Sequence, residues 1–247
     1  MLGNSLLPFV SCLVIVVMSA RSEFDFFAFS QQWPPSVCID ASSEHKCVIP
    51  EEVTAWTVHG LWPNSRSGNE PSNCNSSWPF NYDDIKSLEA NLTAQWPNLF
   101  TDTPKNDFWE HEWEKHGTCA TSLPATDNEL HFFTTALQLN TKLRLQQVLK
   151  VFDVIPSKDT GYNATEVSNL LEKYFGSAPV LRCTYQQATK RQFFLEIEIC
   201  FDKSFKLMDC GSEFQATLAN LTQAEECRSS EITYLYPLPS SSSTKRN

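Results

Sequence analysis

Two short segments concentrate side chains able to move protons: WTVHGLWPN at 56–64 and FWEHEWEKHGTC at 108–119 hold three of the five histidines. On a helix turning about 100° per residue, His111, Glu112, Lys115 and His116 fall near 0°, 100°, 40° and 140°, an arc able to face one small site. Trp113, near about 200°, points away and reads as packing. Taken alone, such a run is a solvated charged face stopped at Gly117, since ion pairs also cluster this way. Two histidines, several aromatics and a cysteine within twelve residues argue for more. HEWEKH differs from the H-E-x-x-H metal pair, because histidines five apart are separated by about 140° where helical ligands would differ by about 40°. The spacing therefore predicts neither metal nor cofactor. In the first segment, Gly60 lets the backbone turn or a substrate approach closely, and Trp62 and Pro63 supply a flat apolar surface beside His59.

Two histidines with a carboxylate and an ammonium, and no nucleophile motif, suit acid–base chemistry on an anionic substrate. A neutral imidazole takes a proton while an imidazolium gives one. Lys115 and a further imidazolium would stabilise negative charge gathering on a phosphoryl group. RNA carries its own nucleophile, the 2′-hydroxyl, and Trp62 and Phe108 can stack on bases. His45 and His131 fall outside both segments and read as surface or helix-packing residues, while Trp33, Trp78 and Trp96 read as core.

Such segments need a frame. FDFFAFSQQW mixes aromatic and polar residues at near-alternation and reads as a strand entering a loop at Pro34 and Pro35. Residues 126–151 read as one helix, opened by Thr126 and Glu129 in capping-box spacing, with Leu130, Phe133, Leu137, Val148 and Val151 near helical period. A second helix is expected from Thr165 or Glu166 to Phe175, closed by Gly176. Leu195, Ile197, Ile199 and Phe201 alternate with Glu196, Glu198 and Cys200, as in a half-buried antiparallel strand. Helices and strands are segregated along the chain, so the class is α+β, a single domain with a central antiparallel β-sheet flanked by helices.

Composition narrows the setting. The 247 residues carry 19 Lys plus Arg against 29 Asp plus Glu, a net charge of −10, with 41% hydrophobic residues. That is enough apolar surface for a real core and excludes a disordered chain, a collagen and a coiled-coil rod. An acidic chain grips a polyanion only through a few locally placed cations, so coating of nucleic acid is excluded. The apolar run LLPFVSCLVIVVM at 6–18, followed by small residues, reads as a secretory signal peptide spanning 1–22. It is too short and wrongly flanked for a membrane span. Residues 23–240 then form one domain, and the polar SSSTKRN at 241–247 a frayed tail. Beyond Cys12, the eight cysteines Cys38, Cys47, Cys74, Cys119, Cys183, Cys200, Cys210 and Cys227 favour four disulfides in an oxidising compartment. A Cys74–Cys119 bridge would pin the two histidine segments together. Sequons at Asn75, Asn91, Asn163 and Asn220 fit a secreted glycoprotein.

HGLWP at 59–63 and HEWEKHGTC at 111–119 resemble the two active-site segments of the ribonuclease T2 family, acid endoribonucleases found in plants and animals. The likeness extends through QQWPPSVC at 31–38, SWPFN at 77–81, WPN at 96–98 and the late cysteines, and is nearest the animal secreted and lysosomal branch. It implies His116 as general base on the 2′-hydroxyl and His59 as general acid on the leaving 5′-oxygen, although it also accommodates an exchange of those roles. It implies His111 as a phosphate-binding residue, with Glu112 and Lys115 stabilising the transition state. Trp62 and Asn64 match contacts to one base, and Gln32, Asn98 and Phe108 contacts to the other; Asn64 departs from the family's frequent Asp. The implied disulfides are Cys38–Cys47, Cys74–Cys119, Cys183–Cys227 and Cys200–Cys210.

The expectation is a monomeric, metal-independent enzyme of low base specificity, optimal at mildly acidic pH. It would cut single-stranded RNA, not DNA, through a 2′,3′-cyclic phosphate, without inserting into membranes, in the extracellular space or the lysosome. A secreted binding or signalling glycoprotein would not need all five site residues intact. A carbohydrate-binding module would use the tryptophans but not the histidines.

Overall fold

The computed structural model describes residues 24–67, 70–157, 160–211, 225–227 and 231–234. The expected leader at 1–22, the tail at 241–247 and the sequon at Asn220 lie outside these residues. In chain order the elements are β1 (Phe26–Gln32), α1 (Pro34–Asp40), β2 (Thr57–Asn64), α2 (Tyr82–Ile85), α3 (Glu89–Gln95), α4 (Asp107–Lys115), α5 (Glu129–Leu143), α6 (Leu145–Val151), β3 (Gly161–Asn163), α7 (Ala164–Phe175), β4 (Val180–Gln186), β5 (Arg191–Asp202), β6 (Leu207–Met208), β7 (Glu225–Glu226) and β8 (Glu231–Thr233). They form a single α+β domain.

The sheet runs β2-β1-β5-β4-β7, with β6 beside β5 and β8 between β3 and β5. It is mixed, not purely antiparallel as expected: β8 lies parallel to β5, pairing Ile232 with Gln192 and Thr233 with Phe193. The reason is local. β1 ends at Gln32, opposite Glu196, which leaves the first residues of β5 open on that side. A late segment fills the edge in whichever direction it arrives.

Both faces of the central strands are covered. Phe27, Phe29, Val58, Leu61, Ile197, Ile199 and Phe201 join the main core with Trp96, Trp109, Trp113 and the α5 residues Phe132 and Phe133. Phe26, Ala28, Trp62, Val180 and Cys200 pack on the opposite face. Gln192 through Phe201 of β5 are consequently all buried, and the alternation that suggests a half-buried strand hides two buried carboxylates, Glu196 and Glu198.

Other local expectations change as well. β1 leads not into a loop but into α1, because Pro34 and Pro35 occupy the first helical turn, where a missing N–H costs nothing. The helix expected over 126–151 is two, broken at Arg144, whose positive φ of 51° ends α5 and starts α6. Its N-cap is Asn128, which accepts from His131 N, while Thr126 donates to Ala120 O and Glu129 accepts from Asn81 N. Val151 is 72% exposed, since the break rotates the apolar stripe off its position in α6, and Leu130 in the first turn of α5 and Trp78 are 37% and 43% exposed where apolar packing was expected. α7 ends as expected at Gly176, whose φ of 72° suits a residue without Cβ.

The disulfides join Cys38–Cys47, Cys74–Cys119, Cys183–Cys227 and Cys200–Cys210. Among the described residues no helix is long and apolar enough to cross a membrane.

Candidate active site

The site forms where β2 meets the end of α4. In the β1–β2 ladder Ser30 pairs with Gly60 and Gln31 with Val58, so His59 is the extra residue of a bulge. Bulges re-aim a side chain, and this one delivers His59 against Trp62, Phe108 and β5. A Cβ on Gly60 would collide with Trp62 Nε1 and with the Glu112 carboxylate. The glycine therefore makes room for a protein hydrogen bond, Trp62 Nε1 donating to Glu112 Oε2 at 2.9 Å. That bond ties the second residue of the α4 arc to the first histidine segment.

α4 is held from behind. Trp109 and Trp113 enter the core and donate their indole N–H groups to Trp96 O and Trp78 O. Trp113 thus points away from the site, as the helical projection requires. His116 lies just past the helix as its C-cap, with φ −114° and ψ −47°. This swings it back, so that donor atoms of His111, Glu112 and His116 come within 4.8 Å of one another. A five-residue spacing on a continuous helix would hold them apart, and that part of the angular expectation fails. Three such donors could face one cation, and one of them, Glu112, also accepts from Trp62 Nε1.

Both imidazoles pack against one indole. The Trp62 ring lies 4.9 Å from that of His59 and 5.6 Å from that of His116, with Phe108 5.7 Å from His59 and His111 6.3 Å from His116. Their charge environments are opposite. His59 Nδ1 lies 2.8 Å from Glu196 Oε1. Burial alone would lower its pKa, yet the Glu196 charge and hydrogen bond, with Glu112 and Glu198 beyond, raise it to about 9. Burial is the largest single influence, but with 28% of the side chain exposed the combined pull of Glu196 and the other carboxylates outweighs it and sets the direction. His116, 4% exposed, is pushed well below the ordinary histidine value by burial and by Lys115, His111 and His59. Its Nδ1 has no hydrogen-bond partner among the described residues, Glu70 Oε1 standing 3.8 Å away. His111 is lowered by burial and by Lys115 and His59. Burial pushes the Glu112 carboxyl up to about 7, against the pull of His59, Trp62 and Lys115.

A cavity of about 470 Å³ opens from this cluster, lined by Gln32, Asn98, Phe108, His59, His111 and Glu196 among others. Asn98 is held rigidly, donating to Thr103 Oγ1 and Pro104 O and accepting from Phe100 N. Trp62 and Asn64 do not line this cavity; they are 5% and 4% exposed, and Asn64 Oδ1 accepts from Ser65 N. His45, read from sequence as surface, does reach the cavity, stacked on Phe100 with rings 4.4 Å apart. His131 stays outside, exposed and bonded to Asp127. Glu196 is the site residue that sequence reasoning passed over. Its signal is a carboxylate within a run of apolar alternation, readable as half-buried until both faces of β5 prove covered.

A sequence model of the ribonuclease T2 family matches residues 24–210. Ribonuclease Oy of Magallana gigas is 44% identical over 194 residues, 77% of this chain and 89% of that protein. Extracellular ribonuclease LE of Solanum lycopersicum is 33% identical over 220 residues, 85% and 93% of the two chains. The crystal structure of human RNase T2 superposes with a TM-score of 0.71 at 30% identity, covering 86% of this chain and 98% of that one. Fold and comparisons together define the class, an RNA endonuclease. The chain belongs to the ribonuclease T2 family, on its animal branch.

Proposed function

We propose that the enzyme cuts single-stranded RNA by internal transphosphorylation, with His116 as general base and His59 as general acid. The observation that carries this is the opposite bias of two imidazoles against one indole: His59 bonded to a buried carboxylate, His116 buried beside cations with no hydrogen bond to its Nδ1 among the described residues. His116, neutral, takes the 2′-hydroxyl proton as that oxygen attacks phosphorus. His59, protonated, gives its proton to the departing 5′-oxygen as the P–O5′ bond breaks. The products are a 2′,3′-cyclic phosphate and a 5′-hydroxyl. His111 and Lys115 receive the charge that builds on the phosphoryl oxygens, and Glu112, protonated below about 7, donates to one of them. The ribose supplies the nucleophile and the imidazoles both proton transfers, so the scheme is metal-independent and should run in excess EDTA. Gln32, Asn98 and Phe108 hold one base in the cavity beside His59, with Phe108 as stacking surface. Trp62 acts from beneath the histidines, and Asn64 shapes the strand end near the second base. Few side chains read base edges, which suits low base specificity.

Substrates lacking a free 2′-hydroxyl test the chemistry. DNA and 2′-O-methyl RNA should remain uncut by the pure protein at about pH 5, near the acid side of an ordinary imidazole pKa, while RNA yields cyclic phosphate ends. Appreciable DNA cleavage overturns the mechanism.

The pH dependence follows from the shifts. The base works when neutral, so activity falls as acid protonates His116, well below the usual histidine value. The acid works when protonated, so activity is lost as pH rises through the His59 value of about 9. Ionisation of Glu112 near 7 turns a phosphoryl donor into a repelling charge and weights the profile toward its acid half. The maximum should lie at about pH 4.5–6.5 on the reference histidine scale, with a shoulder extending into alkali. A rate of kcat/KM that climbs steadily to pH 9 excludes the scheme.

Four disulfides suit an oxidising compartment. With the leader-like segment at 1–22 and sequons at the exposed Asn91 and Asn163 and the half-buried Asn75, they support a glycoprotein of the secretory pathway; we take it to act as a monomer, outside the cell or in the lysosome.

A further inference from the structure

Glu196 is outside the five-residue set that carries the proton and phosphoryl chemistry, yet its bond to His59 is shorter than the 3.8 Å separating His116 from Glu70. It sits mid-sheet on β5, opposite Gln32 of β1. In the β4–β5 ladder Arg182 pairs with Glu196 and Cys183 with Phe194, which makes Leu195 the extra residue of a second bulge. Two bulges on different strands thus converge on one hydrogen bond. Both oxygens of Glu196 are used: Oε1 faces His59 Nδ1, and Oε2 accepts from Ser30 Oγ at 2.9 Å. Ser30 lies on β1 opposite Gly60, beside the bulged His59. Two positions further along β5, Glu198 accepts from Arg182 Nε at 3.1 Å, both buried.

Burying a carboxylate in the middle of a sheet is costly unless its partners are fixed. An apolar side chain would fill the space and hold the strands at less cost. What a carboxylate adds is direction, for an imidazole that donates Nδ1–H to it has Nε2 as its remaining ring nitrogen, pointing the other way.

We propose that Glu196 is the positioning residue of the reaction: by committing Nδ1 of His59 to the protein it presents Nε2 to the leaving oxygen, and so decides which of the two imidazoles is the acid. This rests on the endoribonuclease reading above. His116, with no such partner among the described residues, is left as the base. Groups facing His59 come from every side: Glu196 and Glu198 from β5, Arg182 behind them on β4, His111, Glu112 and Lys115 from α4, and His116 beyond its end. His111 and His116 oppose a charged His59. Glu112 is itself drawn toward neutrality by burial, which leaves Glu196 as the in-contact charge that balances them. Glu196 in turn stays below the usual carboxylate range despite its burial, because His59, Ser30 and Arg182 hold it ionised.

Glu196→Gln and Glu196→Asp, profiled as kcat/KM against pH on a short RNA and compared with imidazole NMR titrations, test this. Glutamine keeps volume and an acceptor but loses the charge. The steep alkaline loss should begin about one to three pH units lower, the effect of one adjacent opposite charge, with a smaller loss of rate at pH 5, where His59 is protonated in both proteins. The His59 titration should fall with the limb and that of His116 should not. Aspartate keeps the charge and should hold the alkaline limb near wild type while kcat drops. A purely structural role would lower Tm in both variants and move neither limb. An unmoved alkaline limb and an unmoved His59 titration in Glu196→Gln overturn the proposal. The wild-type tautomer reads the same geometry without any variant: neutral His59 should carry its proton on Nδ1, and an Nε2–H tautomer overturns it. Wild-type protein that fails to cut RNA defeats the endoribonuclease reading, while the titrations and the tautomer still report on the pairing.

Discussion

Replacing His59 or His116 with alanine is expected to lower turnover on RNA by about 100-fold or more each, the usual scale for removing a general acid or base. The fold should survive both changes. His59 is a bulge residue with 28% of its side chain exposed, so its loss removes little packing. His116 is buried against Trp62, and its loss leaves a small void, but the backbone bonds around it, His116 N to Glu112 O and Cys119 N to His116 O, are independent of the side chain. The two variants should also differ in kind. Without the acid, the alkaline loss near 9 set by His59 disappears while that set by Glu112 and the acid limb stay; without the base, the acid limb disappears and the alkaline losses stay. In the proposed scheme both act in one transition state, so the double variant should fall by less than the product of the single losses. His131→Ala, at an exposed residue paired with Asp127, should leave activity unchanged. A double variant with near-wild-type turnover would mean the proton carriers have been misassigned.

The residues named in that experiment were legible in the sequence because they lie in two dense segments whose types have few other uses. Their mutual placement was legible only in part. Helical projection puts Trp113 in the core and His111, Glu112 and Lys115 on one arc, and α4 agrees. It cannot anticipate that the helix stops at Lys115, since nothing local forbids another turn before Gly117. The convergence of His111, Glu112 and His116 follows from that stop. Glu196 illustrates a different limit. Alternation tells which residues of a strand share a face, but not whether the second face meets water or protein. A carboxylate on β5 therefore reads as solvated until β1, β4 and β2 are in place around it. Long-range pairings set the remaining differences. The parallel β8 depends on where β1 ends, the break at Arg144 on tertiary packing that overrides helix propensity, and the reach of His45 into the cavity on its stacking with Phe100. The pairing of eight cysteines is the extreme case, for one-dimensional spacing is compatible with 105 connectivities.

One of those pairings should matter most for activity. Cys74–Cys119 closes 45 residues of chain, the segment that contains α2, α3 and α4, and it reaches the backbone three positions beyond His116. Cys74 N also donates to Thr118 Oγ1 at 3.2 Å, and Asn73 N to Lys115 O at 2.9 Å, so the loop after β2 is fastened to the last turn of α4 at several points. Loss of a native disulfide in a secreted domain costs about 2–5 kcal/mol, a large share of the roughly 5–15 kcal/mol that holds a domain together. Cys74→Ser/Cys119→Ser should therefore melt about 5–20 °C lower, at about 2–4 °C per kcal/mol for a chain of this size. Activity should fall even well below the new midpoint. The hydrogen bonds at Asn73 and Cys74, each worth about 1 kcal/mol, cannot alone hold His116 in register with Trp62 and His59, and a misplacement of about 1 Å can cost 100-fold. Cys200→Ser/Cys210→Ser is the matched control. That bridge closes only 10 residues and does not join the two histidine segments, although it packs in one cluster with Trp62, so it should lose about 1 kcal/mol less by loop length and a smaller share of its kcat/KM once folded. If the Cys74/Cys119 variant, assayed at a temperature where it is fully folded, cuts RNA as fast as wild type, then the register of the two histidine segments is set by β2 and α4 packing alone, and the bridge serves stability only.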